Sequence, residues 1–242
     1  MPYRKVPASD SGRIDALRNA KEKADSTPAD QLAISPEVKS RLDLSLPQFK
    51  KEVDERGTAL SIQSDSTKAR LISEERCGVY VSHFYQVFNL GIIRGEYKAS
   101  ERAYFHIDVS QESIPVLKNE DSIKTNAENI ISGDPLRVAA GGRPMMNPSK
   151  DEVQGVLNEY KSKLQDQSTK KDILEKEQED VDAIRADIDD LIRDMWDEIE
   201  FKYRKDEPSV MRRKAREYGV VYVPRPGEPP EEITPPAPAP AP

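Results

Sequence analysis

Few residues in this chain are equipped for chemistry, and their spacing limits what they can do. There are two histidines, His83 and His106, and one cysteine, Cys77. A carboxylate-bridged di-iron site in a helical bundle needs a Glu-x-x-His motif on each of two helices. The residues three places before His83 and His106 are Tyr80 and Ala103, so that chemistry fails. A single cysteine makes neither an intrachain disulfide nor a zinc-binding pair. The chain has no phosphate-binding glycine loop, dinucleotide fingerprint or nucleophile elbow. Its one tight glycine run, Gly141-Gly142-Arg143-Pro144, lacks the Lys-Ser/Thr of a phosphate cradle and reads as a turn. His83 with Tyr80, Tyr85 and Cys77 could form a buried polar site, and a pocket around His83 and His106 is the weakest reading, an enzyme. A lone histidine in an apolar helix is more often a hydrogen-bonded core residue.

A second set of residues could meet an anion. Arg212, Arg213, Lys214 and Arg216 cluster within five positions and could touch phosphates. They follow a segment of opposite sign. Residues 166–200 carry fourteen acids against five bases, and residues 201–218 carry seven bases against three acids. Pairing within the chain or between subunits is the simpler account of the cluster. A net charge of −7 argues against general nucleic-acid binding.

The elements that would position these groups are helical. Charged residues make up 33% of the chain and apolar ones 36%, with the apolar residues gathered in periodic segments. That suits long amphipathic helices better than a thick layered core. Residues 77–93 (CGVYVSHFYQVFNLGII) contain no charge, and Cys77, Val81, Phe84 and Phe88 form one line at helical spacing. This stretch falls short of the roughly 20 apolar residues of a membrane span and holds Ser82, His83, Gln86 and Asn89. It reads as the buried centre of a bundle.

Residues 1–35 read as a peripheral arm and linker, with a short helix over 14–24 and Ser11 as its N-cap. A longer helical pattern starts at Pro36, with Ser35 in the N-cap position. Pro47 predicts a kink or a fresh start. The hydroxyl-rich stretches QSDSTK (63–68) and DQSTKK (166–171) echo each other and sit at matching points of two amphipathic segments. A turn at each would make a duplicated helical hairpin. The competing geometry keeps each half as one long helix, and the cap-forming hydroxyls at the same point of both halves favour the turn. The predicted fold is therefore mainly α, an antiparallel four-helix bundle over residues 36–223 with an inserted connection at 96–147.

Residues 103–110 alternate as a strand does, and 220–225 are rich in β formers, which predicts a two-stranded ribbon of about 103–109 with 219–224. A helix over 120–131 should break at Gly133-Asp134-Pro135. A short basic helix should end on Gly219 as a C′ glycine. Residues 224–242 hold nine of the nineteen prolines and read as a Pro/Ala-rich disordered tail, a spacer or a docking peptide.

Taken together, this predicts a non-enzymatic structural or protein-interaction protein that self-associates or docks a protein partner. The alternative is an anionic or nucleic-acid partner on the 211–216 cluster. No cofactor, metal or small-molecule substrate is implied. The absence of a signal peptide or membrane span in the sequence predicts the cytoplasm.

Overall fold

The computed structural model describes residues 2–227. In chain order its elements are β1 (Tyr3–Arg4), α1 (Asp10–Asp25), α2 (Pro36–Ile93), a 3-10 helix (Ala99–Phe105), α3 (Glu120–Ala139), α4 (Lys150–Tyr203), α5 (Pro208–Arg216) and β2 (Tyr222–Val223). The protein is mainly helical, and no helix of the described residues is long and apolar enough to cross a membrane. The chain divides into two compact units, Met1–Thr58 with Glu175–Pro242, and Ala59–Leu174.

The strongest local signals set the helix starts. The Ser35 hydroxyl accepts from the Val38 amide at 3.2 Å, so Pro36 opens α2 as predicted. At α4 a capping box forms. The Ser149 amide donates to Glu152 Oε2 at 2.7 Å, and the Ser149 hydroxyl accepts from the Glu152 amide at 3.2 Å. Gly219, past the end of α5, has φ +83 and a carbonyl of α1 (Ala16) only 3.0 Å from where a Cβ would sit. Glycine is needed there on both counts.

Several expectations are overturned. Neither predicted turn exists, because α2 and α4 each run on as one helix through the hydroxyl-rich stretch. The hydroxyls bond back along the helix instead of capping a new one. Ser66 and Thr67 donate to the Gln63 carbonyl at 2.8 and 3.0 Å, and Thr169 donates to Gln165 O at 3.1 Å. Gln63 and Gln167 both donate to Thr67 Oγ1, at 3.1 and 3.0 Å. The polar breaks in the two apolar lines thus satisfy each other. Two folded-back hairpins are therefore not how the helices arise.

The predicted ribbon is also corrected. Residues 99–105 coil as a 3-10 helix, and β2 pairs antiparallel with β1, Tyr3 opposite Val223 and Arg4 opposite Tyr222. Phe105, read as one side of a strand, is fully buried instead. Helix α3 passes through Gly133-Asp134-Pro135 to Ala139. At Gly133 a Cβ would meet the Tyr104 carbonyl at 2.1 Å, and Asp134 is buried against Arg137. Tertiary packing outweighs the local cost of Pro135. Of the predicted tail, residues 228–242 lie outside the described residues.

Each unit has its own apolar core. In Ala59–Leu174 it is built from Cys77, Val81, Phe84, Tyr85 and Phe88 of α2, Phe105 of the 3-10 helix, Ile123, Ala127 and Ile130 of α3, and Val153, Leu157 and Tyr160 of α4. The uncharged stretch is accordingly amphipathic and not buried all round, since Val79, Leu90 and Ile93 are exposed. Burial pushes the Cys77 thiol up to about 11, far from the thiolate needed for reactivity.

The other core joins Ile14, Leu17, Ala20 and Ala24 of α1 to Leu42 and Phe49 of α2 and to Val181, Ile188, Leu191, Met195, Trp196 and Ile199 of α4. The expected peripheral arm is therefore core, because alanines at helical spacing let α1 approach closely. Its N-cap is Ser9, not Ser11, which leaves Asp10 in the first turn. Asp10 accepts two bonds from Arg185, both at 2.9 Å, and one from Arg56 at 2.8 Å. Arg13 grips Asp189 through two bonds of 2.7 and 2.9 Å.

These partners, with the Arg185 hydrogen bond foremost, hold the Asp10 carboxyl below its ordinary 3.8. Its folded value is depressed, so its contribution is present at neutral pH and is lost as pH falls through that value. Asp10→Asn should cost about 1.5–3 kcal/mol at pH 7, as expected for hydrogen bonds to charged groups. The gap in melting temperature from wild type should close on acidification below 3.8. A gap that stays constant down to acid would show that Asp10 is not coupled to folding.

Candidate functional site

The apolar line of helix α4 runs to its C-terminal end, where Tyr203 packs against the core. Met195, Trp196 and Ile199 are buried, while Phe201, off that line, is 67% exposed. The Arg204 guanidinium carbon lies 3.6 Å from the centre of the Phe201 ring. Such stacking holds the ring in place without covering its outer face.

Opposite Phe201 runs the segment 32–35, which precedes α2. Ala33 and Ile34 are buried in the core. Glu198 of α4 ties this segment down, taking the Ser35 amide at 2.6 Å and the Ser35 hydroxyl at 2.8 Å. Between them lies an open groove of about 780 Å³, lined by Leu32, Ala33, Ile34, Phe201, Asp197, Glu198, Lys202, Arg204 and Lys205 among others. Asp197 is neutralised by Arg4 at 2.6 Å. Lys202 and Lys205 are exposed and belong to no ion pair among the described residues. The groove therefore presents an exposed aromatic ring together with Lys202, Arg204 and Lys205 on a wall that also carries the Asp197 and Glu198 carboxylates.

The residues singled out from sequence are placed elsewhere. On α5, Arg212 is buried, Lys214 pairs with Asp206 at 2.8 Å, and Arg216 lies over the Tyr222 ring at 5.5 Å. Arg213 is half-buried. Burial raises the Tyr203 hydroxyl to about 12, and the Lys214 ammonium sits 5.0 Å from that ring's centre. The basic helix thus spends at least two of its four cations on contacts within the unit.

His83 is exposed and lines a second groove of about 630 Å³ with Val79, Ile114, Pro115 and Leu117. His106, also exposed, ends the 3-10 helix at φ 57 and is not part of that groove. The two histidines do not converge. Gly141-Gly142-Arg143-Pro144 is a turn, as read. Gly141 has φ +96, and the Arg143 carbonyl accepts from the buried Arg137 at 2.6 Å. Glu52, Glu177 and Asp180 bring carboxylate oxygens within 4.8 Å of one another, with Lys51 at 3.5 Å from Glu52 as countercharge.

No protein-family model, curated protein or solved structure matches this chain. Sequence reasoning missed Phe201, although a signal was there. In FKYRK (201–205) an aromatic residue that falls off the core line is followed by three bases.

Proposed function

We propose that this chain is a non-enzymatic interaction protein that docks a protein partner in the groove beside Phe201. The partner segment would be acidic and carry at least one aliphatic side chain. The observation behind this reading is the Phe201 ring, 67% exposed beside Lys202 and Lys205, which belong to no ion pair among the described residues. Leaving so large an apolar surface in water sacrifices the about 1.5–3 kcal/mol that burying a Phe side chain would contribute. Aromatic residues held in place with few free rotamers are the usual anchors of interfaces.

The test is quantitative proximity labelling with wild type and Phe201→Ser, followed by direct binding of the proteins that the substitution loses. Affinity for such a partner should fall about thirtyfold, the effect of removing a hot-spot side chain. If every labelled protein is retained by Phe201→Ser, the reading fails. The alternative, an anionic partner on Arg212, Arg213, Lys214 and Arg216, predicts salt-sensitive nucleic-acid binding that Arg213→Ala weakens. The contacts of Arg212, Lys214 and Arg216 within the unit make it the lesser reading.

A further inference from the structure

We propose that residues 228–233 of this chain (EPPEEI) dock into the Phe201 groove of the same molecule and there compete with the protein partner. The inference rests on reading the groove as a docking site and names what holds it when no partner is bound.

Charge comes first. Lys202 and Lys205 are exposed and unpaired among the described residues, and segment 228–233 supplies Glu228, Glu231 and Glu232 with no base. Apolar chemistry agrees. Ile233 is the one large aliphatic residue from 228 onward, and the groove offers the exposed face of Phe201.

Placement is the third argument. Arg4 and Tyr222 are paired across the ribbon. The Tyr222 hydroxyl donates to Glu200 at 2.5 Å, and Arg4 reaches Asp197, a groove residue, at 2.6 Å. Asp197 and Phe201 stand four residues apart on one face of α4, and Arg204 follows just past its end. The chain therefore leaves β2 beside the wall of the groove.

From Val223 to Ile233 an extended chain at about 3.1 Å per residue spans about 30 Å. The rise along α4 from Glu200 to its last residue, Tyr203, is only about 5 Å at 1.5 Å per residue, and Lys205 lies two residues beyond. Tethering also raises the effective concentration of the segment at the groove to about the millimolar range. A weak charged peptide can hold a site under those conditions.

The test uses the full chain with a photo-crosslinking amino acid in place of Ile233. Crosslinks should form within one molecule, at monomer mass, and map to 32–35 and 197–205. Lys202→Glu with Lys205→Glu should cut their yield about tenfold, the combined effect of two exposed ion pairs. Adding Glu231→Lys and Glu232→Lys should restore it. In the chain with Lys202 and Lys205 intact the yield should also fall as salt is raised. Crosslinks between copies, crosslinks confined to 208–216, or a yield indifferent to charge and salt would overturn the proposal. The partner-docking reading would then still stand or fall on its own Phe201→Ser assay.

Discussion

Arg137→Met should destabilise the unit Ala59–Leu174 by about 3–5 kcal/mol, the cost of breaking a buried ion pair from one side. Arg137 is fully buried. Its Nε and Nη2 donate to Asp134 Oδ1 at 3.0 and 2.7 Å, its Nη1 to Glu101 at 2.9 Å, and its Nη2 also to the Arg143 carbonyl at 2.6 Å. The Tyr97 and Phe88 rings lie 4.9 and 5.6 Å from the guanidinium carbon. One side chain therefore joins α3, the 3-10 helix, the glycine turn and the aromatic core.

Burying a guanidinium is itself costly, so replacing the whole group by neutral residues need not be harmful. The harm in the single change lies in the Asp134 carboxylate, only 8% exposed, left without its partner. Arg137→Met combined with Asp134→Asn should therefore recover a large part of the loss. Urea unfolding followed by hydrogen exchange at 81–105 and 120–139 reads both effects. Wild-type protection in the single variant would remove the ion pair from the account of this unit's stability.

Phe105→Ala should cost about 3–5 kcal/mol as a buried cavity, with aromatic pairing lost in addition. Phe105 has no exposed surface and sits edge-on to three rings, Phe84 at 5.4 Å, Tyr85 at 6.0 Å and Phe88 at 5.1 Å. A strand side chain at the end of a bundle would make fewer of these contacts and lose less on truncation. The magnitude therefore separates the two placements of residues 99–105. Phe105→Leu, which fills much of the space, should cost clearly less. If alanine and leucine behave alike, cavity formation is not the cause.

How much of the molecule could be read in advance follows from the range of each interaction. The start of α2 was legible at Ser35 because a cap is closed within three residues of itself. The end of α5 was legible because a positive φ selects glycine wherever it occurs. The core line of 77–93 was legible from its spacing, although burial all round was not the outcome. At the candidate site, the bases of α5 stood out by clustering, but clustering is blind to which side of a helix faces the unit. Phe201 was hidden by its type, since an aromatic residue in a helix is assumed to be core until its neighbours are known.

Composition and periodicity settle that this chain is helical, rich in charge and free of any motif that assembles a cofactor by spacing alone. Whether Ser66 and Thr67 end a helix or continue one was decided in space, because Gln167, a hundred residues away, completes the hydrogen bonds of Thr67. The same holds for Asp134-Pro135, a helix breaker by local rules, which Arg137 and Glu101 hold inside α3 and its surroundings. It holds again for β1, which exists only because β2 returns to meet it. Local rules count energies of about 1 kcal/mol for most residues and about 3 for proline, and breaking a buried charge pair from one side or emptying an aromatic cluster costs as much or more. Where the two conflict, packing prevails.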